Sequence, residues 1–171
     1  MCHAPHVAVL VSLLHYEEAM TTEKMFQYLG EIYRDLGSIE FLMRCAVAQK
    51  ENDLGGDFLQ PPYENGKSYK QVPCAFRPRY FGRVLEMFLI HYPDMEDTVA
   101  GVLDLRNAVT HGLVAEVGHS GVTELVHLRG NKEGEGASIV YSLAFTEENL
   151  LFWRDRLQKL RRRIIHLAAD K

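Results

Sequence analysis

From Met25 onward the apolar residues Met25, Leu29, Ile32, Leu36, Ile39, Met43 and Ala46 recur at alternating steps of four and three. Only a helix turning every 3.6 residues gathers that spacing onto one stripe, and a stripe this long obliges the rest of the chain to cover it. The spacing predicts a long helix ending near 52–56. The same period returns in Phe81, Val84, Leu85, Phe88 and Tyr92, closed by Pro93. It returns in Met95, Val99, Val102 and Val109, read as one helix opening on Asp94 as N-cap and closed by Gly112 in a left-handed conformation. A last helix carries Leu150, Trp153, Leu157, Leu160, Ile164 and Leu167 behind Thr146, Glu147 and Glu148, a strong N-terminal signal. Between the last two helices, LVAEV, VTELVHL and SIVYSLAF read as strands joined by GHSG and GNKEGEG. The expected fold is mainly α: a helical bundle with a small antiparallel β-meander inserted before the final helix. The stretch GGDFLQPPYENGKSYKQVP reads as a long connection between the first two helices.

With 171 residues and 47% hydrophobic content the chain suits one domain, 1–171, with its own core. A net charge of -4 rules out a global positive field, so any polyanion must be held locally. The three cysteines, Cys2, Cys45 and Cys74, are odd in number and irregularly spaced, which fits a reducing compartment and makes the cytoplasm the expected location. VAVLVSLL is far shorter than a bilayer span and has no preceding Lys or Arg, so neither membrane insertion nor processing is expected. Cys2, His3 and His6 lack the second ligand pair of a structural zinc site; no metal and no cofactor are expected.

One residue breaks the pattern. At about 100° per residue, Arg106 falls close to the line of Met95, Val99, Val102 and Val109, where an apolar side chain belongs. The guanidinium either snorkels to an edge or meets a carboxylate. On the first helix Glu40 projects into the apolar face, between Leu36 and the aromatics Phe26 and Tyr33, and is one partner; Arg44, four residues on, competes for Glu40. His111 lies in the last turn of its helix, where the helix dipole favours the protonated ring. It stands five residues from Arg106, about 140° around a regular helix, so the two diverge within one chain unless the helix end is distorted. A two-fold dimer in which helix ends meet would resolve this. Asn107 and His111, at i and i+4, share a side.

Written R-N-A-V-T-H, Arg106, Asn107 and His111 resemble the Arg, four to six residues, His motif of the HEPN superfamily, in which a polar residue often follows the arginine. The architecture agrees over roughly residues 20–168. The resemblance implies a HEPN-like bundle and a homodimer. It further implies a metal-independent RNase of toxin or defence type, with RNA as substrate and, for a toxin, an antitoxin protein as partner. A second match, Arg161 to His166, lies in the basic run RLQKLRRR with no polar residue after the arginine. Position 113 is Leu, so the tyrosine that follows the histidine by two in a nucleotidyltransferase-paired branch is missing, and regulation by modification there is not implied.

In that reading His111 is a general base or acid for attack of the RNA 2'-hydroxyl on the adjacent phosphate. Arg106 holds the non-bridging oxygens, Asn107 orients the phosphate or the ring, and Glu40 fixes Arg106. Arg77 and Arg79, beside Tyr80 and Phe81, and the basic side of the last helix (Arg154, Lys159, Arg162, Arg163) are the candidate substrate-binding groups. Against this, Tyr80 and Phe81 equally suit packing of the second helix, and a basic last turn suits its dipole. The competing functional class is a catalytically inactive HEPN-like module that binds nucleotide, RNA or a protein partner.

Overall fold

Helix α1 (Thr22–Lys50) is 29 residues long and opens on Thr21, whose hydroxyl accepts the backbone N–H of Lys24 at 3.3 Å. The structure, a computed structural model, describes residues 21–55, 58–59, 65–66, 68–69, 71–116, 123–130 and 136–169. The Cys2, His3 and His6 cluster, the VAVLVSLL run, the GHSG turn and much of the 55–73 connection lie outside the described residues. Ile32, Leu36, Ile39, Met43 and Ala46 are buried on one side of α1, as their spacing predicts.

What they are buried against is chiefly the last helix, α5 (Glu147–Ala169), with Leu150, Trp153, Leu157, Leu160 and Ile164 turned inward. Thr146 opens α5 by accepting the Asn149 N–H at 3.2 Å. Polar contacts flank this apolar seam in matching order. The Lys24 ammonium meets Glu147 at 2.5 Å, Arg154 reaches Glu31 at 3.9 Å and lies over the Tyr28 ring at 5.6 Å, and Arg161 reaches Asp35 at 3.6 Å. Residue numbers rise together on both helices, so α1 and α5 run parallel and stay side by side for about 16 Å. Asp35 is fully buried, and its Oδ1 is shared by Arg161 and Arg34. Arg161, the arginine of the second motif match, is thereby committed to the seam.

Parallel first and last helices require the intervening chain to travel back, and the other elements do so. Helix α2 (Phe81–His91) packs Phe81, Val84, Met87 and Phe88 against α1. The single helix expected from Asp94 to His111 is two: α3 (Glu96–Val99), entered through a 3-10 turn at Pro93–Met95, and α4 (Val102–His111). Asp94 caps neither; its carboxylate takes the Arg163 guanidinium at 3.3 Å. The break falls at Gly101, with φ +74, where a Cβ would stand 3.2 Å from the Trp153 ring. Arg156 lies 5.1 Å over that ring and donates to the Ala100 carbonyl at 2.9 Å, satisfying a carbonyl freed at the break. The spacing of Met95 and Val99 with Val102 is therefore not a single stripe, and the buried face of α4 is Val102, Leu105 and Ala108.

Strands β1 (Leu113–Glu116), β2 (Thr123–Gly130) and β3 (Ala137–Ala144) form the expected antiparallel meander in the order β1-β2-β3. Leu125 stands opposite Val114 and Leu143, His127 opposite Tyr141, and a bulge interrupts the ladder between His127 and Leu128. Leu125, Leu143 and Phe145 join the core made by the helices. No helix among the described residues is long and apolar enough to cross a membrane.

Gly101→Ala forces a left-handed conformation on a residue with a Cβ, facing an indole ring. The expected loss is about 1–2 kcal/mol, read as a lower denaturant midpoint at unchanged slope. Burial, aided by the Asp104 charge, pushes the Tyr141 phenol up to about 12, while a hydrogen bond with Trp153 and the Arg156 charge pull the other way. The raised folded value means its contribution is complete below the unfolded value of about 10 and is lost as pH rises toward 12. Thermal midpoints of Tyr141→Phe and the parent protein, measured from pH 8 to 12, are expected to fall less steeply for the variant above about pH 10.

Candidate functional site

Helix α4 delivers Arg106 and His111 to the same place. Arg106 leaves α4 one residue after buried Leu105, so it projects from the flank of the helix rather than along its apolar line and is half-buried. Its Nη1 lies 3.3 Å from Nε2 of His111, which is exposed. The divergence expected from an angle of about 140° does not occur, because the long arginine side chain spans the arc at the last turn. The pair is thus made within one chain. A guanidinium only donates, so Nε2 is the accepting nitrogen and the proton of the neutral ring sits on Nδ1.

The backbone on the C-terminal side of His111 holds it in place. Gly112 has φ −76 and ψ 170, extended rather than left-handed, and its N–H donates to the Ala108 carbonyl at 2.7 Å. A Cβ at Gly112 would collide with that carbonyl oxygen and lie 2.8 Å from the Val126 carbonyl oxygen, so glycine is required here by space. The chain passes directly from helix end to β1, whose Leu113 pairs with Val126.

Arg106 and Thr110 form one wall of a small pocket of about 120 Å³, completed by Tyr33, Leu36, Gly37 and Glu40 of α1. Glu40 is therefore brought to the Arg106 pocket, but its ion pair is with Arg44, at 2.7 Å, and not with Arg106. The Phe26 and Tyr33 rings do not bracket Glu40 in an apolar face; each is 60% exposed. Arg44 in turn donates to the carbonyls of Ala75 at 2.5 Å, Arg77 at 3.4 Å and Arg79 at 3.1 Å. Its role is to hold the approach to α2 against α1, with Glu40 neutralising it. Next to the first pocket, sharing Tyr33, lies an apolar one of about 300 Å³ lined by Phe26, Leu29, Gly30, Tyr33, Val109 and Leu125.

The remaining sequence-derived residues are dispersed. Asn107 is half-buried on α4, and among the described residues no hydrogen bond joins it to Arg106 or His111. Arg77 is exposed; Arg79 is half-buried, with its Nη2 3.3 Å from the Cys74 sulfur. Tyr80 is exposed, with only an edge of its ring near Gly82 at the start of α2, whereas Phe81 is buried. Arg162 and Lys159 are exposed on α5, but Arg154 is bound to Glu31 and Arg163 to Asp94 and Thr98. Burial raises the Cys45 thiol above its ordinary range. Among the described residues no group of three His, Cys, Asp or Glu could hold a metal ion.

Sequence reasoning missed Gly30 and Gly37 and read Tyr33 only as a flank of Glu40, although a signal for all three exists. Phe26, Gly30, Tyr33, Gly37, Glu40 and Arg44 repeat the four-three spacing on a second stripe of α1, hidden because glycines and charges interrupt it. No protein-family model, no curated protein and no solved structure matches the chain.

Arg44→Ala would strand three carbonyls and free the Glu40 carboxylate. A loss of about 2–4 kcal/mol in chemical denaturation is expected, and Glu40→Gln is expected to lose less because the carbonyl contacts persist.

Proposed function

We propose that the Arg106–His111 face is the active site of a metal-independent endoribonuclease, of toxin or defence type and acting in the cytoplasm. The observation that carries this reading is the 3.3 Å contact between an exposed imidazole and a half-buried guanidinium that lines a small pocket with Glu40 and Thr110. A phosphodiester entering the site offers Arg106 a stronger, charge-assisted partner than a neutral ring. As Arg106 turns to the non-bridging oxygens, the Nε2 lone pair of His111 is released. It then takes the proton of the 2'-hydroxyl; the 2'-oxygen bonds to phosphorus, the bond to the 5'-oxygen breaks, and the departing oxygen is protonated from solvent. The products are a 2',3'-cyclic phosphate and a 5'-hydroxyl. Arg106 stabilises the charge on the phosphorane. Glu40 acts at one remove, neutralising Arg44 at the edge of the same pocket. The HEPN resemblance motivates a homodimer and an antitoxin partner; the Arg106–His111 contact within one chain means that a second subunit need not complete the motif.

The test is cleavage of single-stranded RNA with metal ions chelated, with product ends identified. His111→Ala is expected to lose about 10²–10⁴-fold in rate, and Arg106→Ala about 10²–10³-fold. Arg106→Lys is expected to fall between, since an ammonium cannot grip two oxygens in a fixed fork. Cleavage undiminished in His111→Ala would overturn the mechanism, and RNA binding without cleavage by the parent protein would assign the chain to a binding module instead.

A further inference from the structure

The apolar pocket beside Arg106 has no part in the chemistry above, and its composition is unusual for a helix surface. Phe26 and Tyr33, each 60% exposed, stand seven residues apart on α1, about 10 Å along its axis. Gly30 lies between them, and a Cβ there would meet nothing within 4 Å. Glycine in a helix interior is less favourable than alanine by about 1 kcal/mol, and among the described residues nothing packs on Gly30 to offset that. What it leaves is a gap between two aromatic side chains, closed on the far side by Val109 of α4 and Leu125 of β2. The result is a slot lined from two sides, at about 300 Å³ near the lower limit of small-ligand sites. Through Tyr33 it adjoins the pocket where Arg106 supplies a positive charge.

An apolar, aromatic-walled slot next to a cationic end matches a ligand with a flat ring at one end and an anion at the other. We infer that the slot of Phe26, Gly30, Tyr33, Val109 and Leu125 is a subsite for one unpaired nucleobase of the RNA strand whose phosphate lies on Arg106. The inference rests on the nuclease reading for the identity of the strand. Aromatic rings accept any base face, so the subsite selects single-stranded over paired RNA without selecting sequence. Duplex RNA keeps its bases stacked inside and cannot fill the slot.

The probe is a fluorescent oligoribonucleotide with 2'-methoxy groups, which cannot be cut, compared by anisotropy with a matched abasic strand. The parent protein is expected to bind the base-bearing strand about tenfold or more tightly than the abasic one. Gly30→Leu, which fills the slot, is expected to abolish that difference, and Phe26→Ala, which removes a ring that lines this slot alone, to reduce it, both leaving abasic binding unchanged. Tyr33→Phe keeps it. Gly30→Leu is expected to melt no lower than the parent, since its new side chain enters open space. Equal binding of the two strands by the parent, or a preference that survives Gly30→Leu, overturns the subsite. So does sedimentation showing a dimer that Gly30→Leu dissociates, which would assign the slot to a second copy of the chain. Cleavage separates the two proposals. A Gly30→Leu protein that cuts RNA as fast as its parent keeps the nuclease without the subsite. A parent that prefers the base-bearing strand but never cuts keeps the subsite without the nuclease.

Discussion

The parallel pairing of α1 with α5 is the constraint on which the other placements depend. Two helices joined end to end by a short loop lie antiparallel; the first and last helices of this chain lie parallel because the elements between them carry the chain back. Their apolar seam is reinforced by Lys24–Glu147, Glu31–Arg154 and Asp35–Arg161 in ascending order. Sliding one helix by a turn would pull the fully buried Asp35 carboxylate away from Arg161, which is far more costly than exposing an equal area of oil. The ionic contacts therefore fix the register more than they add to stability.

With α5 in register, its Trp153 ring faces Gly101 and its Arg156 binds the Ala100 carbonyl at the point where the third helical stretch breaks. The break sets the rotational phase of α4, which decides that Leu105 faces the core and Arg106 its edge. Gly112 ends α4 against β2 and leaves His111 in reach of that arginine. A chain of packing contacts thus runs from the α1–α5 seam to the pair proposed to do chemistry.

Helix identity and strand pattern were legible because they depend on periodic burial: the α1 and α5 stripes and the three strands of the meander lie where their spacing puts them, whereas the register of the strands was not read. The break at Gly101 was not legible, since Met95, Val99 and Val102 happen to keep a helical period across it, and the side chains that meet it, Trp153 and Arg156, lie far downstream in the chain. Arg106 and His111 were found from their residue types, but their contact was not, because projection treats side chains as points and ignores the reach of arginine. Glu40 illustrates the remaining ambiguity: two arginines lie within range, and only the carbonyls of Ala75, Arg77 and Arg79 determine which one stays.

The terminal turn of a helix is ordinarily where backbone order dissolves, its amides and carbonyls trading partners with water. At Gly112 that freedom is removed, because the next residue is already committed to the ladder with β2. The imidazole just before it inherits the stiffness of a sheet while keeping the exposure of a helix tip. The backbone that carries it then has little conformational entropy left to surrender to the RNA proposed as its substrate.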